Sequence, residues 1–222
     1  MLFMKNLKNA LLLKQLYTQK ELGFCYTSVI PFGDESIDIV LPNDMELLYK
    51  QTLTCHLCPL SKTRTHVVFG EGNPNAKLMF VGEGPGANED IQGKPFVGKS
   101  GELLSKMIEN VLELKREDVY IANIVKCRPP NNRTPHEEEA HTCLPYLQKQ
   151  IELIKPSIVV TLGATAYKYL TNDNTPITKI RGVLSNQKNY KLIPTYHPSY
   201  LLRNPSAKKE VFEDLKLIKS IM

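Results

Sequence analysis

No run of this sequence approaches the roughly 18 consecutive apolar residues that a membrane helix needs. Low-complexity tracts and internal repeats are also missing, which sets aside fibrous, solenoid and broadly disordered architectures. The opening "MLFMKNLKNALLLKQLYTQKELGF" has no small-residue cleavage site, and Lys5, Lys8 and Lys14 interrupt its apolar stripe. It reads as an amphipathic helix and not as a secretory signal. A cytoplasmic location is the resulting expectation, with no membrane partner. Two common phosphate loops are absent as well. "GEGPGANED" after "KLMFV" fails the G-x-G-x-x-G spacing and has no helix following at once, and "GKSG" at 98–101 lacks the upstream glycine of a Walker loop.

What is present is a chain of 222 residues, 42% apolar, enough for one large domain or one domain with an appendage. Charge is uneven. From Ile177 to Met222 nine Lys and Arg stand against three acids, while the whole chain carries only +5. A basic C-terminal segment suits a polyanion, nucleic acid first.

Four segments read as strands: "KLMFVGEG", "DVYIANIVKC", "SIVVTLG" and "KNYKLIPTYHPS". Helical spacing lies between them, at Leu103, Leu104, Met107, Ile108, Val111 and Leu112, and again from Thr134–Pro135 through "EEEAHTCLPYLQKQIELI". Asn43 or Asp44 is placed to cap a helix that leads into "CHLC". Alternating strands and helices predict an α/β fold, a three-layer α/β/α sandwich around a central, mainly parallel four-stranded sheet. Residues 1–45 form an N-terminal extension, expected to be helical, and 46–222 the main domain. Ligands of such sheets sit beyond the strand C-termini, at 83–90, 123–133, 163–166 and 197–204.

Five cysteines occur, of which Cys25 has no partner at a useful spacing. Cys55, Cys58, Cys127 and Cys143 follow C-x2-C-x68-C-x15-C. Four thiolates suit a structural zinc or a [4Fe–4S] cluster, and spacing alone does not separate the two.

Taken together, "GEGPGANED", "GKPFVGKSG", "NIVKCRPPNNRTP", "HPSYLLRNP" and the four cysteines resemble the family 4 uracil-DNA glycosylases, the iron–sulfur branch of that superfamily. The resemblance covers about Thr52 to Met222. It implies an enzyme of DNA repair that hydrolyses the N-glycosidic bond of uracil in DNA, carries a [4Fe–4S] cluster with zinc as the lesser alternative, and works as a monomer on single- or double-stranded DNA. Phe96 matches the stacking residue, Asn123 the reader of uracil O4 and N3–H, and His197 the group facing O2. Glu83 and Glu89 match the candidates for orienting water and facing a cationic sugar. Gly84 stands where other branches carry an aspartate, and Gly86 where others carry a bulky residue that blocks thymine; Glu89 takes part in that exclusion. Ser199 resembles a phosphate-contacting position. Leu201 and Leu202 suit a wedge between bases, one of them packing beneath the loop. Lys179, Arg181 and Arg203 are read as DNA-binding cations. "TPITKIRGVL" lacks the histidine of relatives that become trapped on the sugar. Two alternatives stay open: a non-catalytic iron–sulfur nucleic-acid-binding protein with the same fold, and a zinc-stabilised nucleotide hydrolase.

Overall fold

A computed structural model of the protein describes residues 40–222. Cys25 and nearly all of the expected N-terminal extension lie outside the described residues. Four strands form the middle of the sheet: β2 (Leu78–Gly82), β3 (Tyr120–Asn123), β4 (Ile158–Leu162) and β6 (Lys191–Thr195). All neighbours among them pair in parallel, in the order β3-β2-β4-β6. Every residue of β2, β3 and β4 is buried, as expected of strands covered on both faces. Two short strands, β1 (Glu71–Gly72) and β5 (Ser185–Asn186), extend the sheet antiparallel at its edges. Two residues carry too little periodicity to be seen in a sequence.

Alternate residues of each strand feed opposite cores. Leu78, Phe80, Ile121, Val160 and Ile193 pack on one face with Leu104 of α3 (Lys99–Met107) and with Val211, Leu215 and Ile218 of α8 (Lys208–Ile221). Met79, Val81, Ala122, Val159 and Leu192 pack on the other with Leu147 and Ile151 of α4 (Glu137–Ile154) and Ala166 of α5 (Ala164–Thr171). The expected α/β/α sandwich is therefore present, and Leu41–Met222 form one compact unit.

Three helix boundaries differ from expectation or refine it. Asp44 caps α1 (Met45–Leu53), its carboxylate accepting from the Leu47 amide at 2.8 Å. The long helix starts at Glu137 and not at Thr134–Pro135, because Glu139 takes over the cap: its carboxylate accepts from the His136 amide at 2.8 Å while Arg133 grips both its oxygens. A short helix, α2 (Ala87–Gln92), begins inside the acidic glycine loop, where no immediate helix was expected. The remaining two are α6 (Ile177–Ile180) and α7 (Pro198–Arg203).

Candidate active site

The loops after β2, β3, β4 and β6 enclose one cleft of about 590 Å³, within the roughly 300–1,000 Å³ of small-ligand sites. Glu83, Gly84, Gly86, Glu89, Phe96, Asn123, His197, Ser199 and Arg203 all line it.

Asn123 ends β3 and is 1% exposed. Its Oδ1 is buried without a hydrogen-bond partner. The fold makes room for it by using glycine at the end of β2: a Cβ on Gly82 would overlap Asn123 Oδ1 and come within 2.7 Å of Phe96 Cζ. Phe96 is 7% exposed and has φ 52°, a left-handed backbone uncommon for a bulky residue. Gly101 at the start of α3 packs against the Phe96 main chain so closely that a Cβ there would overlap its carbonyl. This strained turn aims the ring at the cleft, and such outliers cluster where function holds them. The Phe96 and His197 rings stand 5.6 Å apart.

His197 caps α7. Its Nδ1 accepts from the Ser199 amide at 3.1 Å and lies 2.8 Å from Ser199 Oγ. An amide can only donate, so Nδ1 carries no proton and the neutral ring bears its proton on Nε2. Burial, reinforced by the positive charge of Arg203 and opposed by Glu89, pulls the His197 pKa down to about 4. The imidazole is thus neutral at ordinary pH.

The two acids differ. Glu89 accepts from three main-chain amides, Gly86 at 3.1 Å, Val97 at 3.0 Å and Gly98 at 3.1 Å. Its carboxylate staples the glycine loop to the turn that carries Phe96. Glu83 is half-buried, and its carboxylate makes no hydrogen bond or ion pair among the described residues. Gly84 and Gly86 are held small by their neighbours. A Cβ would come within 2.7 Å of Val125 Cγ2 at Gly84 and within 2.7 Å of Glu89 Oε2 at Gly86.

In the last loop Leu201 packs into the core at 1% exposure, whereas Leu202 is 44% exposed. The helical turn of α7 points Leu201 inward, so Leu202 is the apolar tip. Arg203 is exposed at the cleft. Arg181, expected beside it as a DNA-binding cation, is engaged elsewhere: it grips the buried Asp214 through Nε at 3.1 Å and through Nη2, and pairs with Glu210 at 3.5 Å.

Behind Asn123 lies a network that sequence reasoning missed. Lys126 is 1% exposed, and its Nζ donates to the Asn123 carbonyl at 2.9 Å and to Gln150 Oε1 at 2.6 Å. Gln150 in turn donates to the Phe69 carbonyl at 2.9 Å and bonds the Tyr120 hydroxyl at 3.2 Å. The signal was a lysine inside the apolar run "IANIVKC". Burial lowers the Lys126 pKa to about 8.

Cys55, Cys58, Cys127 and Cys143 line one small cavity with Arg64, Lys126 and Tyr146. All four are free thiols. As the side chains stand, no three His, Cys, Asp or Glu among the described residues converge as a metal-holding group. The donor chemistry nevertheless fits a thiolate-held centre. Arg64 Nη1 donates to Cys127 Sγ at 3.2 Å and the Lys126 amide to Cys143 Sγ at 3.3 Å, the kind of bonds that tune cluster sulfurs. Burial drives the Cys143 thiol up to about 12 and raises Cys127 and Cys58. Buried thiols of this kind ionise together only around a cation.

The model of the uracil DNA glycosylase superfamily matches residues 69–216, the stretch that holds β2 through most of α8. The chain belongs to the uracil-DNA glycosylase superfamily. It is 48% identical over 182 residues to the type-4 uracil-DNA glycosylase of Thermotoga maritima, spanning 80% of this chain and 94% of that one. It is 46% identical over 188 residues to that of Saccharolobus solfataricus (81% and 87%), and 45% identical over 187 residues to that of Sulfurisphaera tokodaii (81% and 85%). The resemblance read from the motifs is therefore the correct family, in its type-4 branch. Of the positions named from sequence for the base, the sugar and the phosphates, Glu83, Gly84, Gly86, Glu89, Phe96, Asn123, His197, Ser199 and Arg203 line the cleft, whereas Leu201, Leu202, Lys179 and Arg181 do not. Among the described residues no helix is long and apolar enough to cross a membrane.

Proposed function

We propose that this protein excises uracil from single- or double-stranded DNA by hydrolysing its N-glycosidic bond, leaving an abasic site and acting as a monomer. The observation that carries the reading is the unpartnered Oδ1 of Asn123, buried beside Phe96 and His197. An orphaned acceptor needs a donor, and uracil supplies one at N3–H while its O4 accepts from the Asn123 amide nitrogen. Cytosine presents an acceptor at N3 and leaves Oδ1 unpaired, at about 1–3 kcal/mol. The base must leave the stack to reach this depth, and Phe96 offers a flat face to receive it.

Bond cleavage develops negative charge on the uracil and positive charge on the sugar. His197, neutral with its proton on Nε2, donates to O2 as that charge appears. Glu83 has free lone pairs to orient the attacking water. Glu89 commits three of its lone pairs to main-chain amides and acts by fixing the loops. Leu202 fills the space the nucleotide vacates, and Arg203 meets a phosphate. Cys55, Cys58, Cys127 and Cys143 would hold a [4Fe–4S] cluster, which supplies cross-linking of three distant segments and no step of the hydrolysis.

The test is a uracil-containing oligonucleotide incubated with purified protein and EDTA, then cut at abasic sites by alkali. Cleavage at uracil alone is expected. Intact strands would end the reading, and activity that appears only with added divalent metal on free nucleotides would favour the nucleotide hydrolase.

A further inference from the structure

We infer that Tyr200 is the outer ring of a built stacking subsite that takes a nucleobase flanking the extruded uridine, an inference that rests on the reading above. The subsite is assembled from the inside outward. Asp214 is buried, accepts from Thr195 Oγ1 at 2.6 Å, and occupies space that a Cβ on Gly182 would fill. It holds the Arg181 guanidinium, whose carbon lies 5.6 Å from the centre of the Tyr196 ring. The Tyr196 ring is buried and stands 4.8 Å from that of Tyr200, tilted by 35°. Each layer is fixed by the one beneath it. The last ring, Tyr200, is 36% exposed and lines the cleft.

Position and chemistry both point to a base. Tyr200 sits three residues before Arg203 on α7, so a ring and a phosphate-binding cation share one side of the helix. Extrusion of a nucleotide leaves each neighbouring base unstacked on one face. A ring already held by its own stack meets that face without losing rotamer freedom on binding. Aromatic stacking tolerates any base, which suits an enzyme whose target has no fixed neighbours. It matters most on single strands, where no complement holds the neighbours in place.

The alternative is that Tyr200 merely props the turn carrying His197. Binding and chemistry separate the two. The probe is a single-stranded oligonucleotide carrying an excision-resistant 2′-fluoroarabino uridine, with the fluorescent base 2-aminopurine on one side or the other. Wild-type protein and Tyr200→Phe should both quench the 2-aminopurine on one side of the uridine. Tyr200→Ala should lose that quench and bind roughly 5- to 150-fold more weakly. On ordinary uracil substrate the loss should fall on affinity and not on the saturated single-turnover rate. Unchanged affinity and quench in Tyr200→Ala, or a rate loss with affinity intact, would overturn the subsite. If wild-type protein itself fails to excise uracil, the proposed function falls first; if it excises and only the variant pattern fails, the subsite alone falls.

Discussion

The two sides of Asn123 are built differently. Toward the cleft, its Oδ1 has no partner, and the Glu83 carboxylate lining the same cleft makes no hydrogen bond among the described residues. Behind it, Lys126, Gln150 and Tyr120 are joined through four hydrogen bonds to one another and to the carbonyls of Asn123 and Phe69. Both regions are polar and buried. A fold that pairs its polar groups so fully on one side and leaves an acceptor open on the other has reserved that acceptor for something absent from the chain itself. The front is specified by what it withholds, and the back fixes where the front points.

That contrast makes the two sides separable by mutation. Changes at the front should cost rate more than stability. His197→Ala removes the donor to the leaving uracil, and a preorganised donor is typically worth about 10²–10³ in rate. Single-turnover excision should fall by that factor with oligonucleotide affinity nearly unchanged; a parallel fall in affinity would make His197 a DNA-positioning residue. Gly82→Ala pushes on Asn123 Oδ1 and the Phe96 ring together. A displacement of about 1 Å in such a site costs on the order of 10²-fold. Changes at the back should do the reverse. Lys126→Met orphans the Asn123 carbonyl and Gln150 Oε1 in the interior, at about 1–3 kcal/mol each. A marked fall in Tm is expected by thermal melting, and wild-type stability would show the network to be dispensable.

How far the sequence alone reaches follows the same division. The four central strands and the loops at their ends were legible because buried parallel strands read as mainly apolar runs, and the chemistry-bearing residues crowd where those runs stop. Asn123 and His197 stood out by position and motif. What could not be read was direction. Leu201 and Leu202 are chemically alike, and only the turn of α7 decides which one points out. Glu83 and Glu89 are both loop acids until the amides of Gly86, Val97 and Gly98 are found around one of them. Phe96 gave no sign of its left-handed backbone, because Pro95 before it and Val97 after it suggest extended chain. These are matters of three-dimensional closure, which a linear pattern does not encode.

The front can be probed more gently by pH. The folded pKa of His197, about 4, lies below the ordinary 6.5, with burial as the main cause. Between those values the unfolded chain binds a proton that the folded protein refuses. His197 therefore contributes stability that is complete above about pH 6.5 and is lost as pH falls toward 4. The ring stays neutral over that interval, so the single-turnover rate should show no inflection near 6.5. A titration in the rate at that pH, absent in His197→Ala, would mean that the imidazole is solvated and its donor not preorganised.

The smallest effect on binding and catalysis is expected from a pair of arginines that look equivalent in the sequence. Arg203 is exposed at the cleft and should neutralise one phosphate. Arg181 spends its charge on Asp214 and Glu210 and its flat face on Tyr196. Neutralising one phosphate releases counterions, so each such contact adds about 0.7 on single strands, or about 0.9 on duplex, to the slope of log affinity against log salt. Arg203→Ala should flatten that slope by about one contact, weakening binding at low salt and leaving the saturated rate alone. Arg181→Ala should leave the slope where it was. Its cost should appear in stability instead, because Asp214 is left buried without its cation, a loss of about 3–5 kcal/mol for pairs of this kind. Salt titrations and melting curves on the same two variants decide the matter. If Arg181→Ala flattens the slope as Arg203→Ala does, its guanidinium leaves Asp214 when DNA arrives, and the stack beneath Tyr200 is not fixed in the complex.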